Sequence, residues 1–168
     1  RTLNLGYPEM EGLAHDGKSA LLVGPRTDAT RAGARIVAVH DQNKTVSYEL
    51  TDFLWPDGER HGSYKDPDGI AYGDGLIFWS ANSGHSDVPA AAVQLMDSSG
   101  DIIKRFWLPD KIVNDIAYAY GHIVYKPVDN NVIHIIDVDA VSNRKVAEIR
   151  KTVPISNGEI TGHWGVAH

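Results

Sequence analysis

The sequence predicts an all-β protein built from repeated four-stranded units, and three observations lead to this prediction. A five-residue motif occurs four times, at periods of 57, 46 and 50 residues. Each of the first three copies is followed by a turn and then by an apolar strand. Helical periodicity is nearly absent. The four copies are Glu11–His15, Asp68–Tyr72, Asn114–Tyr118 and Trp164–His168.

Composition narrows the class of protein before any motif is considered. A chain of 168 residues with 42% hydrophobic and 23% charged residues is sized for about one globular domain. It has no apolar run of the roughly 18 to 20 residues that span a bilayer, so we expect no membrane span. Net charge is −6 and the basic residues do not cluster, which argues against a nucleic-acid partner.

Cysteine content and the start of the chain bear on compartment. The chain has no cysteine, which excludes disulfides, thiolate zinc sites and a cysteine nucleophile. It begins at Arg1 without a leader, so we expect that processing or truncation has removed the true start. The sequence leaves localisation undetermined, with a secreted or periplasmic location favoured over a cytoplasmic one.

The first repeat contains turn and strand signals in the order of a meander. Its motif leads into an Asp-Gly turn, an apolar strand, and then a hairpin around a polar turn. The predicted strands after the motif are Ala20–Val23, Arg35–His40 and Thr45–Leu50.

The second and third repeats follow the same order. Gly73–Gly75 and Tyr120–Gly121 supply the first turns. The stretch Val88–Met96 alone suggests a helix, but Pro89 and its place in the repeat favour a loop followed by a strand. The predicted strands after the second motif are Leu76–Trp79, Ala92–Met96 and Ile102–Trp107, and those after the third are His122–Tyr125, Val132–Val138 and Lys145–Ile149.

Repeats of this length, each a four-stranded antiparallel meander, are typical of β-propeller blades. We therefore predict one propeller domain over residues 1–168. A plain β-sandwich is the alternative, but it does not explain why the motif recurs. About three blades cannot close a ring of 4 to 8, so we expect a fragment of a six-bladed or larger propeller. The repeats are 11–67, 68–113 and 114–163, with the start of the next at 164–168.

Two stretches carry a resemblance to known propellers. Asp66–Ala71 followed by Leu76–Gly84 resembles the Pro-Asp-Gly-aliphatic-Ala signature shared by NHL, YWTD and gluconolactonase-type propellers. Glu11, Asp68 and Asn114 head the three first strands. They are similar to the acidic or Asn residues that hold calcium in the tunnel of six-bladed lactonases, esterases and phosphotriesterases related to gluconolactonase, senescence-marker protein and paraoxonase.

This resemblance implies a metal site and a reaction. Glu11, Asp68 and Asn114 would be ligands of a calcium ion, or of another divalent ion, because hard cations prefer oxygen donors. In such enzymes the metal polarises a lactone or ester carbonyl. Asp68 would also act as base, and His163 would carry the proton. Trp164 departs from the pattern, since it occupies a position where a ligand-bearing blade would have Asn or Asp.

Two interpretations of the function remain open. The first is a metal-dependent hydrolase acting on a small lactone, ester or phosphotriester. The second is a non-enzymatic NHL or YWTD-like propeller that binds a protein or glycan through loops such as Trp55–Tyr64. In that case Glu11, Asp68 and Asn114 would only cap turns through hydrogen bonds to the backbone.

The remaining chemistry-bearing residues favour structural roles. The eight histidines lack the paired spacing of a zinc-binding helix, and His134 alternates with apolar neighbours as a strand residue does. Ser83–Asp87 contains Ser, His and Asp but not the nucleophile elbow of a hydrolytic triad. The aromatic residues that fall on strands are expected to pack between blades; they are Phe78, Trp79, Trp107 and Tyr125.

Overall fold

Three antiparallel sheets, each of four strands, account for the regular structure in the computed structural model of the chain. The structure describes residues 12–15, 20–23, 35–40, 44–49, 66–82 and 91–155. Within these ranges every regular element is a strand, and no helix long and apolar enough to cross a membrane occurs. Neighbours in each sheet are also neighbours in sequence, which is the meander that the repeats predict.

The strands are numbered in chain order, four to a sheet. The first sheet contains β1 (Gly12–His15), β2 (Ala20–Val23), β3 (Arg35–His40) and β4 (Lys44–Glu49). The second contains β5 (Asp66–Gly73), β6 (Leu76–Asn82), β7 (Ala92–Asp97) and β8 (Ile102–Trp107). The third contains β9 (Val113–Ala119), β10 (His122–Pro127), β11 (Val132–Asp137) and β12 (Lys151–Pro154).

The predicted strands agree with the structure except at one place. Lys145–Ile149 was expected to be the last strand of the third sheet, but that strand is β12, which pairs with β11 from Lys151 onward. The prediction is wrong because residues 145–147 pair instead with β8, the edge strand of the second sheet. Trp107 of β8 donates its N–H to the carbonyl of Lys145 at 3.0 Å, and Ala147 donates to the carbonyl of Trp107 at 2.7 Å.

The two tight hairpins form as their turn residues predict. Asp74 and Gly75 have φ angles of 52° and 78°, and they connect the closing pair of Gly73 and Leu76. Positive φ at both central residues is the type I′ turn, whose twist matches that of the strands it joins. Tyr120 and Gly121 repeat the arrangement, with φ angles of 50° and 80°.

The three sheets lie side by side, with their first strands nearest one another. β1 contacts β5, and β5 contacts β9, as the innermost strands of successive propeller blades do. β5 and β9 run in the same direction, since Gly69 lies against Asp115 and Gly73 against Tyr118. The end of the blades at which β5 and β9 begin is called the upper end below.

A hydrophobic core lies between the second and third blades. Alternate residues of β10 and β11 are buried, as expected for strands with one face against a neighbour. All four aromatic residues predicted to pack between blades are at most 2% exposed. Other buried core residues are Leu95, Phe106, Leu108, Val113, Ile123 and Ile136.

Candidate functional site

Asp68 occupies a β-bulge at the upper end of β5. Pro67 pairs with Ala81 and Gly69 pairs with Ser80, so Asp68 is an extra residue with no partner on β6. A bulge bends the strand and changes the direction of a side chain, and bulges are over-represented next to active sites. The predicted ligand therefore lies at an irregular position in the strand.

Asn114 lies in a second bulge at the equivalent place in the third blade. Val113 pairs with Pro127 and Ile116 pairs with Tyr125, so two residues of β9 stand opposite one residue of β10. These two residues are Asn114 and Asp115. The recurrence of the motif thus corresponds to a recurrence of backbone geometry.

The two bulges are in direct contact. A Cβ atom built on Gly69 would lie 2.7 Å from the backbone nitrogen of Ile116 and 2.9 Å from the Cα of Asp115. Only glycine permits this approach, which explains the glycine after Asp68 in the motif. The residues that follow Asp68 and Asn114 are therefore adjacent, and the backbones of these two predicted ligands lie at the same end of neighbouring strands.

The other predicted site residues lie outside the described part of the chain. They are Glu11, which directly precedes β1, and His163, together with the loop Trp55–Tyr64. For Asp68 and Asn114 the structure describes the backbone and not the side chain. Among the described side chains, no group of three or more histidines and carboxylates could hold a metal ion. The ligand set remains a prediction.

A polar network near the second bulge was not predicted. The hydroxyl of Tyr125 on β10 donates to Oδ2 of Asp110 at 2.7 Å. Nε2 of His134 on β11 lies 3.8 Å from the same oxygen. Burial and the carboxylate of Asp110 raise the pKa of Tyr125, so its hydroxyl keeps its proton and remains a donor. Nδ1 of His134 lies 3.0 Å from Oγ1 of Thr152.

Sequence reasoning gave only part of this network. The alternation around His134 correctly predicts a strand residue, and it is 8% exposed. Tyr125 was expected to pack between blades, and it does. Nothing in the sequence marks Asp110, because it lies in the connection between β8 and β9 and meets its partners only through the fold.

A second polar group lies on the other side of the second blade. Gln94 on β7 is fully buried; its Oε1 accepts a hydrogen bond from Nε of Arg105 at 3.1 Å. Burial, and secondarily the charge of Arg144, lowers the pKa of Arg105. Trp79 is the cross-strand partner of Gln94, and its buried indole N–H has no hydrogen-bond partner among the residues that the structure describes. The side chains of Trp79 and Gln94 lie on the face of the second blade opposite to Phe78, which stacks on Tyr118 of the third blade.

Comparison with solved structures identifies the fold. The chain resembles the glutaminyl cyclase of Myxococcus xanthus (TM-score 0.51, 14% identity, 84% of this chain and 54% of that one). It also resembles a protein of unknown function from Bacteroides caccae, with a TM-score of 0.57 and 8% identity over 93% of this chain and 49% of that one. A third similar structure is the Dos1 propeller, with a TM-score of 0.54 and 6% identity over 88% of this chain and 35% of that one. The chain thus spans between a third and about half of the length of these structures.

No family model matches the sequence, and no curated protein matches it. The identities to the solved structures are low enough that the likeness establishes the fold alone. Combined with the three meander sheets and their adjacent first strands, it shows that the chain has a β-propeller fold built of four-stranded antiparallel blades.

Proposed function

We propose that this propeller binds a divalent cation, calcium by the chemistry of its ligands, at the upper end of β5 and β9. We propose further that it hydrolyses a small lactone or ester there. The observation that supports the proposal is the contact between the two bulges, which puts Asp68 and Asn114 on adjoining backbone segments of different blades.

The residue types suit a hard cation. Calcium takes 6 to 8 oxygen ligands, and a carboxylate from Asp68 and an amide oxygen from Asn114 would supply two of them. Glu11 directly precedes β1, which contacts β5, and would supply a third. Asp115 adds a further carboxylate at this end, although its Oδ1 accepts the N–H of Ile116 at 2.9 Å.

The reaction follows from the resemblance to calcium-dependent lactonases and from general acid–base chemistry. A bound calcium ion would supply Lewis acidity toward the carbonyl of the substrate. The carboxylate of Asp68 would take a proton from the attacking water, and the imidazole of His163 would return one to the leaving oxygen. The glutaminyl cyclase among the similar structures is an enzyme by name, but its 14% identity does not extend that activity to this chain.

The test is thermal unfolding with calcium and with EDTA, together with elemental analysis for bound metal. A ligand present at one hundred times its Kd stabilises the native state by roughly 2.7 kcal/mol. For a domain of this size that is a rise in Tm of about 5 to 10 °C. We expect the rise to be lost in Asp68→Ala and to be clearly smaller in Asn114→Ala than in the parent protein.

Asp129→Ala is the matched control, because Asp129 is an exposed carboxylate in the turn between β10 and β11, at the same end of the blade. It should keep the full response to calcium. If the parent protein carries no metal and its Tm does not respond to calcium, the proposal is wrong. The bulge residues would then be turn caps, and a propeller that binds a protein or glycan would be the better account.

A further inference from the structure

The hydrogen bond between Tyr125 and Asp110 closes a ring around the bulge that carries Asn114. On one flank of the bulge, Ile116 pairs with Tyr125 in the ladder between β9 and β10. On the other flank, Val113 is the third residue after Asp110 along the chain. The side chains of Tyr125 and Asp110 therefore tie the two flanks together, with the bulge between them.

Asp110 is also fixed to the second blade, through its backbone. The N–H of Ala91, next to β7, donates to the carbonyl of Asp110 at 2.8 Å. The N–H of Leu108 donates to the carbonyl of Ala91, also at 2.8 Å. One residue thus connects the blade that contains Asp68 to the blade that contains Asn114.

His134 supports this connection from the outer side. It stands opposite Tyr125 in the ladder between β10 and β11, and the two ring centroids are 5.5 Å apart. The cross-strand contact restricts the Tyr125 ring, and Thr152 in turn holds the imidazole. A partly buried hydrogen-bonded network of this kind restricts the backbone to which its members belong.

We propose that Asp110, Tyr125 and His134 are positioning residues that set the spacing between Asp68 and Asn114, and so the affinity and hydration of the cation. The inference rests on the proposed function. None of these three positioning residues would itself contact the cation. Residues that orient metal ligands from a distance commonly change affinity by 10 to 100-fold when they are replaced.

The test uses the full chain and terbium, a luminescent ion that occupies calcium sites. Titration gives the affinity, and luminescence lifetimes in H₂O and D₂O give the number of water molecules on the bound ion. We expect Tyr125→Phe to weaken binding about tenfold and to add one bound water, because Asn114 no longer reaches the ion. Asn114→Ala should show the same extra water, and the double variant should show no second increase.

Tyr118→Phe is the matched control. Tyr118 also lies in the third blade and also donates its hydroxyl to an aspartate of the second blade, Asp74, but at the opposite end. Its loss should leave terbium affinity and hydration unchanged.

The possible failures are distinguishable. If the parent chain binds terbium and Tyr125→Phe binds it with the same affinity and hydration, the positioning role is wrong while the cation site stands. The same holds if both Tyr variants weaken binding equally, because the effect is then one of general stability. If the parent chain binds neither terbium nor calcium, the proposed function and the inference are both wrong.

Discussion

Tyr118 of the third blade stacks on Phe78 of the second, with ring centroids 4.3 Å apart and an angle of 16° between the planes. The ring of Tyr118 also lies over Gly73, where a side chain would occupy its place. Its hydroxyl donates to Asp74 in the turn that follows. The blades are thus joined at the lower end by an aromatic pair and at the upper end by two backbone bulges.

Removal of the aromatic pair should destabilise the fold strongly. Phe78 is fully buried, so Phe78→Ala should lower the free energy of unfolding by about 3 to 5 kcal/mol, through lost burial and the cavity left behind. Urea denaturation would measure this. Tyr120→Ala is the control, since Tyr120 is 88% exposed and its truncation should cost roughly 0.5 kcal/mol or less. Equal effects of the two substitutions would contradict this description of the interface.

Stability should fall at alkaline pH in a way that depends on Tyr118. The pKa of Tyr118 is raised from 10.0 to about 12, chiefly by partial burial and secondarily by the hydrogen bond to Asp74. A raised pKa means that the folded state holds the proton more tightly than the unfolded state. The contribution of Tyr118 to the free energy of unfolding is therefore complete below pH 10 and is lost as the pH rises toward 12. Urea midpoints across this range should decrease less steeply in Tyr118→Phe than in the parent; parallel curves would contradict the assignment.

Two glycine substitutions should separate close approach from turn geometry. Gly69→Ala places a Cβ against the backbone of Ile116, so the bulges must move apart. We expect a loss of about 1 to 3 kcal/mol and weaker calcium binding. At Gly75 a Cβ meets no atom of the described residues within 4 Å, but φ is 78°, so Gly75→Ala should cost about 1 to 2 kcal/mol and leave calcium binding unchanged. Calorimetric titration alongside urea denaturation measures both quantities, and weakened binding in both variants would contradict the contact argument.

The segment that pairs with β8 should be sensitive to proline at one position and not at its neighbour. Ala147→Pro removes the N–H that donates to Trp107 and should cost about 1 kcal/mol or more, with faster aggregation from the uncovered edge. Val146→Pro is the control. Val146 stands opposite Trp107 in a parallel bridge, but the described backbone hydrogen bonds of this bridge are made by Lys145 and Ala147. Proline at Val146 therefore removes none of them. Light scattering and urea midpoints test the difference, and equal loss in both variants would rule out this pairing as its cause.

The sequence was a good guide wherever structure is determined by neighbours along the chain. The apolar run after Tyr120–Gly121 predicts β10, and Asp74–Gly75 predicts a two-residue hairpin, because both are local effects. The recurrence of Asp68 and Asn114 predicts that they occupy equivalent positions. It does not reveal the bulges, since a bulge is defined by the partner strand.

Sequence reasoning failed where contacts join distant segments. Lys145–Ile149 occupies the place of the last strand in its repeat, but Val146 is bridged to Trp107, 39 residues earlier at the edge of another blade, and no periodicity indicates which edge will be chosen. Asp110 is a single acidic residue in a short connection. Its importance arises only when Tyr125 and His134 are brought beside it by the pairing of β10 with β11.

The pairing of Trp107 with Val146 has a consequence for biosynthesis. The outer edge of the second blade is complete only after about 40 further residues have left the ribosome. At typical rates of synthesis this takes roughly 2 to 8 s. During that interval the nascent second blade exposes the backbone hydrogen-bonding groups of β8. A pause in elongation at this point would therefore prolong the exposure of β8. A blade whose edge is covered by its own strands would not have this sensitivity.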